Sequence, residues 1–403
     1  MTVTPDDRAQ EATVLTAAGG QAGTPLAAAG PDPDKRRPLR RDTFHGWLFT
    51  APALAVLGVF LVAPIFMALY VSFTDWNGLG SPFGGGAELV GVDNYTQLLT
   101  GQSLERTDFM ISLRNNFFYV LFVVPLQTVL ALTLALIVSQ RFLRGRGFFR
   151  TAFYFPSVTS SIAISIVFLF LFQNTGVVNA VLGFVGIDGP AWFSDPRGTF
   201  HVFLQWIGVV DVANPPSWLI DTPFLGLNLW EWTAGPSVAM ITIISLVVWT
   251  TAGTFMLMFI AALQEISGEV EEAAMVDGAS TWQRFRYVIL PMLRPTLFLV
   301  LTLGLIGTWQ VFDQIYVMSQ GNPAKTTLTP AFLSYRVSFR DFDYGRGAAM
   351  AFLLFAIIIF FTLIQRYVMR DKDEAKEKKL LRQRKREAKR QAARAADDAR
   401  VRV

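Results

Sequence analysis

Six long apolar blocks separated by polar connections set the pattern of this 403-residue chain. They cover residues 47–73, 117–139, 151–172, 237–262, 296–317 and 348–368. Each holds roughly 20 mostly apolar residues, enough for a helix to cross a hydrocarbon layer about 30 Å thick. Pro52 and Pro64 fall inside the first block, which membrane helices tolerate where neighbouring groups satisfy the freed carbonyls. The pattern predicts an all-α polytopic membrane protein of about six spans. Two connections on one side are long, 74–116 and 173–236. Structureless loops of that length are uncommon, so short helices are expected there, one of them over 199–210.

The connection 263–295 is polar where it runs EEAAMVDGASTWQRFRYVILPMLRP, from Glu271 to Pro295. It predicts two short helices and a turn. Ser267 is placed to cap the first helix, and Glu269, Glu271 and Glu272 fall in its opening turn, where the helix dipole favours negative charge. Asp277-Gly278 is a turn signal, because glycine takes positive φ at no steric cost. Trp282, Phe285 and Ile289 follow i, i+3, i+7 spacing and predict one apolar stripe. Pro291 and Pro295 are expected to end the segment.

Composition agrees with the span pattern: 52% of residues are hydrophobic and 16% charged, against roughly 25% charged in ordinary globular chains. Lys and Arg fall unevenly: 27 lie in the N-terminal tail, the second-to-third connection, the 263–295 loop and the C-terminal tail, against 7 in the alternate connections. By the positive-inside rule both termini and the 263–295 loop are expected in the cytoplasm. Residues 1–43 have no apolar run and are expected to be a disordered tail rather than a cleaved signal. Residues 370–403 form a basic tail without an apolar face, either a solvated helix or an arm near anionic lipid head groups. There is no cysteine and only two histidines, His45 and His201. Thiol catalysis, disulfides and a histidine metal cluster are excluded on that basis, and no metal site is expected.

The 263–295 loop carries a resemblance. Glu272-Ala273-Ala274, then Gly278, Val288 and Leu290-Pro291 at fixed offsets resemble the EAA loop of ABC importer permeases, with Val288 in place of the usual Ile. FTDWNG (Phe73 to Gly78), GVDNY (Gly91 to Tyr95) with Arg114-Asn115-Asn116, and FDQIYVMSQGNP (Phe312 to Pro323) are similar to segments of the sugar-importing members. The last departs from the usual TxGGP. The resemblance covers about residues 44–370 and implies a type I ABC importer permease fold in a prokaryotic cell membrane. It implies that Glu272, Ala273, Ala274, Asp277, Gly278, Trp282, Phe285, Leu290 and Pro291 dock on an ATPase. The implied partners are a second permease, an ATPase homodimer, an extracytoplasmic sugar-binding protein and membrane lipids, with no nucleic acid. ATP and Mg would belong to the ATPase, with no cofactor in this chain.

No catalytic constellation is present: GxxxxGK[ST], HExxH and GxSxG are all absent, so a transport subunit rather than an enzyme is expected. Polar groups inside spans are expensive and mark cavities or partner helices. The densest set is Thr308, Trp309, Gln310, Asp313, Gln314 and Tyr316. Aromatic, amide and carboxylate groups together suit a sugar, which stacks by its apolar face and bonds through its hydroxyls. Asp313 also fits a wetted position at the outer interface, and both readings stand. Trp249, Thr250, Thr254 and Gln127 are weaker candidates. In the resembled family the fifth and sixth spans line the substrate site. The five Trp of 173–236 fit either an interfacial belt or a docking surface for the binding protein. Alternatives are an ABC permease for a glycerol phosphate or polyol, and a secondary transporter. No Lys or Arg lies deep in a span, against the first, and no inverted repeat is visible, against the second.

Overall fold

A computed structural model describes residues 40–140 and 143–369. The expected tails therefore lie largely outside the described residues. The chain divides into a unit ending at Ile65 and a larger one beginning at Phe66. The first membrane-length helix, Gly46–Val71, is apolar all round with almost none of its surface buried, as a lipid-facing helix requires. Its middle is a π turn, Gly58–Val62, in which the Ala63 amide bonds the Gly58 carbonyl five residues back. Pro64 explains it: the ring has no N–H and crowds the carbonyl four residues earlier, so the turn before it widens.

Four further unbroken or nearly unbroken spans follow: Leu104–Ser139, Val238–Gln264, Arg294–Met318 and Tyr344–Val368. The second span begins well before the expected residue 117. Its first turns carry Asp108, Arg114, Asn115 and Asn116, all buried; their polarity hides the helix from a hydropathy reading, while their partners hold them inside the protein. The block expected as a single third span, 151–172, is a pair of helices, Arg146–Val158 and Ser161–Leu171, meeting at 97°. The fifth is interrupted between Arg294–Trp309 and Asp313–Met318.

Val238–Gln264 is the central helix. Met240, Ile243, Leu246, Met256 and Phe259 on it are fully buried. Toward its start it packs with Phe109, Tyr119, Ile315, Phe332 and Met350. Toward its end it packs with Ala131, Ala135, Leu293 and Val300. The small residues there allow close helix approach.

Two of the motifs noted above have a structural role. Asn94 Nδ2 donates to the carbonyls of Ser72 at 3.0 Å and Thr74 at 2.8 Å. Ser72 Oγ lies 2.6 Å from the Tyr95 hydroxyl. The amides of Tyr344 and Gly345 donate to the Trp76 carbonyl at 3.0 and 3.2 Å, and the Trp76 and Tyr344 rings are 5.0 Å apart. FTDWNG and GVDNY thus form one knot with the start of the last span. Asn94→Ala would strand two carbonyls in a buried site, at about 1–3 kcal/mol. The expected result is a melting temperature several degrees lower in mild detergent, read by thermal unfolding.

The long segment 173–236 contains the short helices expected: Val177–Phe184, Thr199–Trp206, Ser217–Ile220 and Leu229–Thr233, with a hairpin pairing Pro223–Phe224 to Leu227–Asn228. The helix expected over 199–210 stops at Trp206. Gly208, at φ +73, donates to the Gln205 carbonyl while Val209 donates to that of Leu204, a Schellman stop. Trp192, Trp230 and Trp232 are held inside the segment by Asn179, His201 and the Phe224 carbonyl, whereas Trp206 and Trp218 are exposed.

Candidate functional site: an exposed helical loop and a cavity between spans

The loop after the central helix consists of Gly268–Val276, a turn, and Thr281–Arg284. Ser267 holds the N-cap position, but its side chain makes no capping bond. Glu269 and Glu271 lie in the opening turn; Glu272 is exposed and bonds to no described residue. The turn is a second Schellman stop. Gly278, at φ +78, donates to the Met275 carbonyl and Ala279 donates to that of Ala274, both at 3.0 Å. Ala273 accepts from the Asp277 amide. The next helix starts at once: Ser280 Oγ accepts the Gln283 amide, and Gln283 Oε1 accepts the Ser280 amide. This capping box was legible as Ser-x-x-Gln and had been passed over in the sequence reading.

The expected termination at Pro291 does not occur. The turn Phe285–Ile289 is a π turn, with the Leu290 amide bonding the Phe285 carbonyl, and helix resumes over Leu290–Met292. The spacing repeats that of the first span: a five-residue π turn, one residue, then proline. Widening also divides the expected stripe. Ile289 packs into the core with Leu293, while Trp282 stays 69% exposed and lies 5.5 Å from the Phe285 ring. Met275, Val276 and Tyr287 are exposed beside it. The loop therefore offers an apolar surface around a turn whose amides from Asp277 to Ser280 are all bonded.

The break in the fifth span opens a cavity of about 290 Å³. Gln310, Asp313 and Gln314 line it, together with Tyr119 and Gln127 of the second span and Thr251 of the fourth. Thr251 Oγ1 donates to Gln127 Oε1 at 2.7 Å. Gln127 Nε2 and the Tyr119 hydroxyl have no partner although both are buried, so two residues of the cavity wall hold unsatisfied donors. Asp313 and Gln310 are exposed, and their side chains make no hydrogen bond to a described residue. Phe312 adds an aromatic wall. No Lys or Arg lines this space. Gln314 is held by Ser161, 2.9 Å away.

The other expected residues lie elsewhere. Trp309 is buried against Phe361, with ring centroids 5.2 Å apart, in a cluster with Leu354 and Ile358. Tyr316 joins Phe312 and Tyr335 in an aromatic group. Trp249 stacks on Phe168. Tyr119, Thr251 and Phe312 escaped the sequence reading, because a hydroxyl or ring within an apolar run carries no spacing signal.

Asn116 supports the break. Its Nδ2 donates to the Trp309 carbonyl at 3.0 Å, where the helix can no longer supply an amide. Thr329 Oγ1 does the same for Val311 at 3.2 Å. Interrupted helices at membrane depth persist only where protein or a cavity satisfies the backbone.

Membrane-length helices around a polar cavity, together with an exposed helical loop, define a multi-span transport subunit of a membrane. The comparisons agree. Residues 127–373 match the family described as the binding-protein-dependent transport system inner membrane component, and the chain belongs to that family. It is therefore a transport component and not a catalyst. The lactose transport system permease protein LacF of Rhizobium radiobacter is 31% identical over 81% of this chain and 95% of its own length. The multiple sugar-binding transport system permease protein MsmF of Streptococcus mutans is 29% identical over 80% and 94%. A bacterial ABC transporter involved in import of the acidic polysaccharide alginate shares the fold, with TM-score 0.60 at 22% identity, covering 82% of this chain and 97% of that one.

Proposed function

We propose that this chain is one of two permeases in an ATP-driven importer and that it passes a sugar or oligosaccharide handed over by an extracytoplasmic binding protein. The observation that carries the class is the loop 268–292: an exposed apolar surface around a turn, with Glu272, Gly278 and Pro291 at the EAA spacing. Burying Val276, Trp282 and Tyr287 in a groove of an ATPase would use the helix-in-groove mode of recognition. ATP and Mg then belong to that partner. The asymmetry of Lys and Arg supports a cytoplasmic position for the loop and both termini.

Relatives named for lactose and for multiple sugars favour a carbohydrate. The cavity supports the same reading: amides, hydroxyls and one carboxylate beside an aromatic ring match a neutral polyhydroxyl solute, and the lack of lining Lys or Arg disfavours a phosphate. Gln127, Gln310, Asp313 and Phe312 are the residues proposed to contact it.

Purification of the tagged chain in mild detergent, with mass spectrometry of what accompanies it, tests the proposal. An ATPase, a second permease and a binding protein are expected. Recovery of this chain alone, still transporting without ATP, would sink it.

A further inference from the structure

A second cavity, of about 240 Å³, lies against the segment 173–236. Arg114, His201, Gln205, Trp230, Glu231 and Thr326 are among its walls. Arg114 is only 8% exposed. Its Nη2 donates to Asn115 Oδ1 at 2.8 Å and its Nη1 to the Glu231 carbonyl at 3.3 Å, while Nε has no partner. Both acceptors are neutral. The Glu231 carboxylate is engaged by the Asn228 amide at 3.1 Å, in the cap of its own helix. Arg197, also on the cavity wall, is paired with Asp195 at 2.6 Å. Among the described residues no carboxylate lies within ion-pair distance of Arg114.

The Glu231 charge reaches Arg114 only from beyond contact distance, and a buried cation without a contacting counter-ion is costly. The same protein shows the paired alternative nearby in sequence: Asp108, equally buried, is bracketed by Lys325 at 2.6 Å and Arg336 at 3.0 Å. Arg114 differs in that it forms part of the wall of an open space. That space is roughly eight times the volume a water molecule takes in the liquid. His201 lies flat on Trp230, with ring centroids 3.7 Å apart and planes 17° from parallel. Burial, and next the charge of Arg114, hold its pKa below the ordinary value, so at neutral pH it adds no second charge to the wall.

We propose that this cavity is a carboxylate-binding site. The carboxylate would accept from the Nη protons of Arg114 that Asn115 and the Glu231 carbonyl leave free. The carbon skeleton would rest on Trp230 and Val202, both on the wall. The site stands on the geometry of Arg114 and not on the importer reading. The carboxylate can come from a free sugar acid or from an acidic side chain of the delivering protein, and the chemistry is the same.

The test uses the full chain purified with its natural subunits, at constant ionic strength. Sodium acetate, sodium glucuronate and neutral glucose are titrated against chloride, with thermal unfolding and tryptophan fluorescence as readouts. Acetate and glucuronate should raise the melting temperature saturably and perturb the fluorescence; glucose should do neither. Arg114→Gln should lose the response. Because that variant can fail to fold, Gln205→Glu is the second arm: it supplies a carboxylate from the cavity wall itself. It should be more stable than the parent without added ligand and bind glucuronate at least about tenfold more weakly. Glucuronate binding about tenfold tighter than acetate would identify a sugar acid as the source. Equal affinities would identify a bare carboxylate, as an acidic side chain presents it. A parent protein responding to glucuronate no more than to glucose would overturn the site, as would a Gln205→Glu variant with unchanged stability and unchanged response.

Discussion

Gly278→Val is expected to cut uptake about tenfold or more while the chain still inserts and assembles. The reason lies in the backbone. Gly278 sits at φ +78, where a residue with a Cβ pays about 1–2 kcal/mol, and a β-branched one more. Nothing lies within 4 Å of a Cβ built there, so the penalty is conformational and not a clash within this chain. Relief requires breaking the bonds from Gly278 to Met275 and from Ala279 to Ala274, which changes the angle between the two helices of the loop. A series separates backbone from bulk. Asn tolerates the left-handed region and should retain most uptake, Ala should be intermediate, and Val should be lowest. Uptake and ATP hydrolysis would be followed together in proteoliposomes. Hydrolysis continuing in Val while uptake fails would mark an uncoupled complex. Normal uptake in Val, in step with hydrolysis, would remove the coupling role from this loop.

Gln127→Leu should raise the solute concentration for half-maximal uptake about tenfold, the value of one hydrogen bond lost in a dry site. The maximal rate should change less. Gln127 is chosen over Asp313 because its Nε2 is both buried and unpartnered. Gly304→Ala offers an independent route to the same effect: a Cβ there would collide with Gln127 Nε2, turning the amide out of the cavity without removing it. Asp313→Ala should act in the same direction. Trp309→Phe is the control, since that ring packs on Phe361 away from the cavity. It should lower stability and leave half-saturation alone. A kinetic effect of Trp309→Phe with none from Gln127→Leu would move the solute path to the other face of the fifth span.

The span pattern and the EAA loop were legible because they rest on run length and on a glycine whose φ only glycine takes freely. The cavity was half legible. Gln310 and Asp313 stood out as polar residues in an apolar run, yet nothing in their spacing told that Trp309, next to them, would face the opposite way. That follows from the helix ending at Gln310, and the ending depends on Asn116, distant in sequence, whose Nδ2 donates to the orphaned Trp309 carbonyl. The start of the second span was hidden for a related reason. Asp108 and Arg114 read as solvated charges until Lys325, Arg336 and the Glu231 carbonyl are brought to them by the fold. The π turns carry no signal in the hydropathy pattern: Pro64 reads as tolerated within a span and Pro291 as an end, whereas at both the helix absorbs proline by widening one turn.

The knot that joins Trp76 to Tyr344 and Gly345 has a consequence for how the protein is made. A nascent chain delivers Ser72–Trp76 early and Tyr344 near the end. Asn94 can bond Ser72 and Thr74 soon after synthesis, but the Trp76 carbonyl has no protein donor until the last span emerges. The permease is therefore closed by its final helix, as a clasp closes a band. A polypeptide ending before Tyr344 would lack both amides that bond the Trp76 carbonyl.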